Sequence, residues 1–273
     1  MPKAIEVTGL TKSFGKITAL DNVDLTIHLG EMVALIGASG SGKSTLLRHL
    51  AGLEVGDPTD GSVEILGVTL QKRGRLARDA RNQRGRIGFI FQQFNLVGRL
   101  TVLINVLTGR LTKIPMYRSL FRLFTIGERK RALEALDRVG IAQWANCRAS
   151  NLSGGQQQRA AIARTIVQQA KVVLADEPIA SLDPESSRRV MEILANLNSQ
   201  DGTTVVVSLH QVDFALHFCP RVVALARGKV LYDGPSHGVS NALLQKVYSG
   251  DPELKTLNLT GTKGLAVLPK EAA

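Results

Sequence analysis

Met32-Val33-Ala34-Leu35-Ile36-Gly37-Ala38-Ser39-Gly40-Ser41-Gly42-Lys43-Ser44 runs from five apolar residues into glycines, hydroxyl side chains and a lysine. A continuous apolar run that stops at glycine reads as a strand buried on both faces. Thr45–Leu53 then reads as a helix. Gly37 to Ser44 match the pattern GxxxxGK[ST], and they have the context it requires, a strand before and a helix after. The glycines let backbone N–H groups approach phosphate oxygens. Lys43 supplies a point charge to β- and γ-phosphates, and the Ser44 hydroxyl is a ligand for Mg²⁺.

Further along, Leu152-Ser153-Gly154-Gly155-Gln156 leads into the helical pattern QQRAAIARTIVQQ. Small residues at the mouth of a helix leave unpaired N–H groups and the positive end of the dipole facing an anion. The chain therefore carries two unlike anion cradles and a single copy of each. Val172-Val173-Leu174-Ala175-Asp176-Glu177 is an apolar strand that ends in two carboxylates. Asp176 is placed to reach a Mg²⁺ shell, and Glu177, one residue on, is the natural general base for an attacking water. His210 follows the strand Thr204–Leu209, at the edge of a phosphate-binding sheet where ligands bind, so a γ-phosphate contact is open to it. Gln92 also stands at a strand end and is a candidate for the metal or water shell.

Working outward, Ile5–Val7, Val23–Ile27, Ser62–Leu66 and Gly88–Phe91 read as strands. From about Leu100 to Trp144 the pattern is helical and includes Glu128–Val139 with apolar spacings of three and four. Glu185–Asn198 reads as a helix, and Val222–Ala226 with Val230–Tyr232 close a sheet. Strand–helix alternation implies an α/β layer fold with a parallel sheet. The helical stretch at about 94–157 interrupts it as an inserted subdomain. The sequence after Gly238 is weakly patterned, and its last dozen residues are expected to be mobile.

At 273 residues and 44% apolar, the chain can bury a sizeable core. Cys147 and Cys219 have no CxxC or metal spacing and read as reduced thiols of a cytosolic protein. MPKAIEVTGLTKSFG has no apolar stretch of signal-peptide length, so no export is expected. No run approaches the roughly 20 apolar residues of a membrane span. The net charge of +11 suggests an anionic partner. Its densest block, Lys72, Arg73, Arg75, Arg78, Arg81, Arg84 and Arg86, reads as a solvated face or as a contact with anionic headgroups or a partner. No aromatic residues interleave it, which argues against nucleic acid.

Together GASGSGKST, FQQ, LSGGQQQR, LADEP, SLD and the following histidine resemble the ATP-binding cassette of ABC transporters, over about residues 4–250. The resemblance implies a P-loop NTPase core of the RecA type, with an antiparallel β subdomain and an inserted α-helical subdomain. It implies ATP and Mg²⁺ as cofactors, with Ser44, Gln92 and Asp176 toward the metal. It makes Gln92 the Q-loop residue, Glu177 the catalytic glutamate and His210 the switch histidine. Nucleotide contacts fall on Phe14, Gly37, Ser39, Gly40, Gly42, Lys43, Ser44 and Thr45, on the signature residues Ser153, Gly154, Gly155 and Gln156, and on Asp183 of the D-loop. Phe14 stands where an aromatic stacks on adenine; tyrosine is commoner there.

The family also accounts for the two unlike cradles. Two subunits pair head to tail, and each ATP lies between one P-loop and the other subunit's signature, so Ser153 and Gly155 act in trans. The implied partners are a second copy, integral membrane permease subunits and, indirectly, a phosphonate-binding protein on the far side; nucleic acid is not among them. The implied place is the cytoplasmic face of the inner membrane, held peripherally. Ile179-Ala180, Leu209-His210-Gln211 and the segment from Ile114 to Thr125 most resemble the phosphonate import group of that family, and the expected activity is an ATPase driving phosphonate uptake. Phosphite or phosphate-ester import, or an accessory role in a C–P lyase complex, are the alternatives. The segment between Gln92 and Leu152 is too short for the coiled-coil arms of DNA-repair cassettes. The domain expectation is a cassette over 1–250 and a tail over 251–273.

Overall fold

The computed structural model describes residues 1–249. In chain order its strands are β1 (Lys3–Phe14), β2 (Ile17–His28), β3 (Met32–Ile36), β4 (Ser62–Ile65), β5 (Val68–Lys72), β6 (Arg75–Leu76), β7 (Ile87–Ile90), β8 (Val172–Asp176), β9 (Thr204–Ser208), β10 (Arg221–Ala226) and β11 (Lys229–Pro235). Its helices are α1 (Lys43–Leu50), α2 (Ala80–Arg84), α3 (Val102–Leu107), α4 (Met116–Leu120), α5 (Ile126–Arg138), α6 (Gly154–Gln168), α7 (Pro184–Asp201), α8 (Val212–Phe218) and α9 (Asn241–Val247).

Two sheets form. One is antiparallel, in the order β2-β1-β4-β5-β6; the other runs β11-β10-β3-β9-β8-β7. From β10 to β7 the second sheet is parallel, and β11 closes its edge antiparallel. Alternate residues of a strand point to opposite faces. Val33, Leu35, Val172, Leu174, Val206, Val223 and Leu225 accordingly pack with Leu46, Leu47 and Leu50 of α1 and with the antiparallel sheet. Ala34, Ile36, Val173, Ala175, Val205, Val207, Val222 and Ala224 pack on the other side with α3 and α5 to α9. All five residues of β3, β8 and β9 are buried. That is why they read as unbroken apolar runs.

Three expectations change. The helical stretch after Leu100 is broken into α3, α4 and α5, with Pro115 and the cap Thr125 among the residues between them. Among the described residues after Gly238, Asn241–Val247 form α9. Ser240 caps it, and Leu244, Val247 and Tyr248 are buried against the core at spacings of three and one. The arginine block lies on β5, β6 and α2, none of which was expected. Arg73 pairs with Asp60 at 3.0 Å, Arg84 donates to the Gly52 carbonyl, and the other five side chains are exposed. The tail expected over 251–273 lies outside the described residues. Cys147 and Cys219 are both free; burial pushes the Cys219 thiol up to about 12, so it is inert at neutral pH.

The start of α5 is held by polar bonds. Thr125 Oγ1 accepts from the Glu128 N–H, and the Glu128 carboxylate accepts from the Thr125 N–H at 2.7 Å. Arg118 of α4 reaches the same carboxylate at 2.6 Å and donates to the Leu123 carbonyl as well. Burial raises the Glu128 pKa, but the hydrogen bonds from Thr125 and Arg118 outweigh it, and the carboxyl titrates below its ordinary 4.5. A depressed folded pKa adds stability that is present above 4.5 and lost as pH falls through the folded value. Glu128→Ala is therefore expected to cost about 2 kcal/mol at pH 7, through the lost cap and the stranded Arg118. Denaturation midpoints of the two proteins should converge as pH drops below 4.5; a gap independent of pH would refute this account.

Candidate nucleotide site

The loop between β3 and α1 is built around glycines that admit no side chain. Gly37 has φ +151°, and a Cβ there would stand 2.2 Å from the Leu225 carbonyl oxygen. Gly42 has φ +108°, and its Cβ would stand 2.5 Å from the Ala19 carbonyl oxygen. The loop thus rests on β2 and β10. The β10–β11 turn braces it, with the Gly228 N–H donating to Ser41 at 3.1 Å and the Asp21 N–H to Gly228 at 2.9 Å. Sequence reasoning did not single out this turn, although its Arg227-Gly228 pair is a visible hairpin signal.

Lys43 is buried, and its ammonium donates to the Gly37 and Ala38 carbonyls at 2.7 and 3.0 Å. The charge is thereby held inside its own loop. No side chain caps α1, so its first N–H groups face the loop's hollow, as an anion requires. Ser39 and Gly40 form the exposed tip of the loop, and Ser44 and Thr45 lie half-buried on the first turn of the helix.

The C-terminal ends of β3, β9, β8 and β7 lie side by side. Leu35 pairs with Ser208, Ser208 with Asp176, and Ala175 with Ile90. This register brings distant residues into one chain of hydrogen bonds. The Ser44 hydroxyl donates to Asp176 Oδ1 at 2.8 Å, and the Ser208 hydroxyl donates to the same oxygen at 2.9 Å. The Glu177 N–H donates to Ser208 Oγ at 2.9 Å, and His210 Nε2 lies 2.6 Å from Glu177 Oε1.

Glu177 has φ 47°, the left-handed region, which costs a residue with a Cβ about 1–3 kcal/mol and collects at functional sites. The hydrogen bond with His210 holds the Glu177 carboxyl below its ordinary value against the opposing effect of burial; the charges of His210 and Lys43 act in the same direction as the bond. The carboxylate is therefore ionised at neutral pH.

The oxygen pair Ser44 and Asp176 suits a hard cation such as Mg²⁺. Among the described residues no group of three or more His, Cys, Asp or Glu is placed to cage a metal. One carboxylate, one hydroxyl and substrate phosphates are the usual Mg²⁺ donors at such a site, so the residues present fit the ion.

Phe14 ends β1 at the hairpin whose second strand touches Gly42. Phe14 is 49% exposed, with Lys12 Nζ over its ring at 5.0 Å from the centroid. Gln92 is exposed, two residues beyond the end of β7. Ser153 caps α6: its hydroxyl accepts from the Gln156 N–H at 3.3 Å, and Gln156 Oε1 accepts from the Ser153 N–H at 2.9 Å. Gly154 and Gly155 form the first turn. Asp183 is the exposed N-cap of α7, where it accepts from the Ser186 N–H at 2.9 Å; the Ser186 hydroxyl first, and that N–H second, lower its pKa. This structural duty was not foreseen for it. The two cradles stand on different supports. α1 packs on β8, β2 and β4, whereas α6 packs on α3, α5, β7 and α7.

Comparison with known proteins adds the following. The family model described as ABC transporter matches residues 20–180. The chain is 61% identical over 254 residues to a phosphonates import ATP-binding protein of Cupriavidus metallidurans, covering 93% of this chain and 89% of that one. It is 59% identical over 249 residues to the phosphonates import ATP-binding protein of Escherichia coli K12, covering 91% and 95%. Among solved structures it is similar to a dimeric ATP-binding cassette in a post-hydrolysis state bound to ADP and Pi. That likeness has 38% identity and a TM-score of 0.73, over 86% of this chain and 100% of the other. The ADP conformation of a further ABC transporter cassette shares the fold, with a TM-score of 0.77 at 24% identity over 90% and 97% of the two chains.

Proposed function

The chain belongs to the ABC transporter family, and from that membership we propose that it is the ATP-hydrolysing subunit of a phosphonate importer, working as a head-to-tail dimer beneath its permease. The observation that carries the ATPase reading is the hydrogen-bond chain Ser44–Asp176–Ser208–Glu177–His210 along one sheet edge. The cargo reading rests on the 61% identity to a phosphonates import protein. The cassette is assigned to residues 1–250, with its helical insert at about 94–157.

Loop amides and Lys43 bind the phosphates, and Phe14 stacks on the adenine. Ser44 and Asp176 would hold Mg²⁺, with Gln92 as a further candidate ligand, and the bound ion would offset phosphate charge. Glu177 accepts the proton of the attacking water, and His210 orients that carboxylate. Ser153, Gly154, Gly155 and Gln156, with Asp183, act on the nucleotide of the second copy. This division agrees with the separate supports of the two cradles.

No helix among the described residues is long and apolar enough to cross a membrane. We assign a peripheral position on the cytoplasmic face of the inner membrane, reached through the permease. Tyr117, Leu120, Phe121, Leu123 and Ile126 support that route, being 62, 73, 69, 53 and 88% exposed. Polar bonds around Arg118 and Glu128 and the packing of Phe124 on the core hold this segment, and five large apolar side chains exposed within ten residues are what a partner contact needs. The double change Leu120→Ser and Phe121→Ser is expected to leave basal ATPase intact and to weaken permease binding by about 30-fold or more, the loss of one hot spot of roughly 2 kcal/mol. Unchanged copurification with the permease would sink this assignment.

The function is tested by reconstitution with the permease and binding protein. Alkylphosphonate-loaded binding protein should stimulate ATPase activity more than phosphite or phosphate does. Stimulation by phosphite or phosphate alone would overturn the cargo.

A further inference from the structure

We infer that Ser208 is a positioning residue of the hydrolytic site, one that sets the metal-side carboxylate and the proton acceptor with a single hydroxyl. The inference rests on the ATPase reading above. Ser208 is fully buried at the last position of β9, behind the apolar run Val205-Val206-Val207. A hydroxyl has one proton to donate and lone pairs to accept. Here the proton goes to Asp176 Oδ1 at 2.9 Å, and a lone pair takes the Glu177 N–H at 2.9 Å. One hydroxyl thus bonds to both members of the acidic pair.

Two features make this more than a satisfied core serine. Glu177 holds a left-handed φ of 47°, and the Ser208 acceptor fixes the N–H of that strained residue. Asp176 Oδ1 has two hydroxyl donors, Ser44 and Ser208. Ser44 belongs to the phosphate loop and would be drawn to a bound metal, whereas Ser208 lies in the sheet. Ser208 is thus the donor that keeps the carboxylate oriented when Ser44 is engaged. Partners that orient a ligand in this way typically change metal affinity or activity by about 10–100-fold when removed.

The test uses the full chain, with Ser208→Ala, Ser208→Cys and Ser208→Thr beside the parent and Glu177→Gln. A fluorescent ATP analogue is titrated with Mg²⁺, and hydrolysis is measured separately. Ser208→Ala should raise the Mg²⁺ concentration for half-maximal analogue binding by about tenfold, and lower kcat about 10–100-fold with KM little changed. Analogue binding in EDTA should equal that of the parent. Ser208→Thr keeps the hydroxyl and should stay within about threefold of the parent, with Ser208→Cys between, since a thiol bonds weakly. The cysteine and threonine proteins carry the comparison should the alanine protein fail to fold. A parental Mg²⁺ titration and kcat in Ser208→Ala, or a threonine protein as impaired as the alanine or cysteine one, overturns the inference. Retained turnover in Glu177→Gln instead overturns the underlying reading of the site, whatever the Ser208 titrations show.

Discussion

Glu177→Gln is expected to slow ATP hydrolysis by about 10²–10⁴-fold and to leave a stable ATP-bound dimer. The substitution keeps the side chain's size and its hydrogen bond to His210 but removes the capacity to take a proton. The phosphate loop keeps its own bonds, because the hydrogen bonds of Glu177 reach that loop through Ser208 and Asp176, and Lys43, whose charge Glu177 also feels, stays tied to the Gly37 and Ala38 carbonyls. Binding and chemistry should therefore separate: gel filtration with ATP gives the dimer, and phosphate release is nearly abolished. The depressed Glu177 pKa keeps the parent's carboxylate charged at neutral pH, and the associated stability is lost only as pH falls through its folded value, below 4.5. Protonation of Glu177 itself should therefore limit activity only below pH 4.5. Turnover retained by Glu177→Gln would remove it as the base.

Mixing two inactive variants, Lys43→Ala and Ser153→Ala, is expected to restore activity. Each homodimer lacks one half of both sites. In a mixed dimer, one site combines the intact phosphate loop of the Ser153 variant with the intact signature of the Lys43 variant. On random pairing of a two-fold dimer about half the dimers are mixed, which leaves about a quarter of the parental sites competent. A site built within one chain predicts no recovery at all, because every chain is then defective. Inactivity of the mixture at all ratios, with heterodimers demonstrated by tag exchange, would sink the shared site. The expectation follows from the different supports of α1 and α6 and from the exposed position of Ser153.

The parallel strands were legible in the sequence because burial on both faces leaves no polar alternation to obscure them. β3 begins and ends where its apolar run does, and β8 and β9 agree with their runs to one residue. The antiparallel sheet was read poorly. β1 spans Lys3–Phe14, yet only Ile5–Val7 stood out, because its remaining length alternates with polar residues and includes Gly9. β5 and β6 are only five and two residues long, too short for a clear alternation, and the basic residues from Lys72 to Arg75 at their turn masked the hairpin. α9 was missed because seven residues carry too few apolar positions for a helical period. In the site, motif residues were visible one by one, whereas Ser208 was not: a serine closing an apolar strand has no local signal.

The sequence by itself determined the phosphate loop, the buried parallel strands β3, β8 and β9, and the residue types at their ends, since these depend on glycine φ, apolar periodicity and neighbouring charge. Tertiary structure alone decided which of them meet. Ser44 and Asp176, 132 residues apart, are joined because β3 and β8 flank β9 in register, and the same register seats Ser208 between the acidic pair. It also decided that Tyr117, Leu120, Phe121, Leu123 and Ile126 face outward, while Phe124 packs on the core and the bonds of Arg118 and Glu128 tie the segment to α5. Sequence pattern reports what each element can bury; contact between elements is set by sheet order and register, which no local window contains.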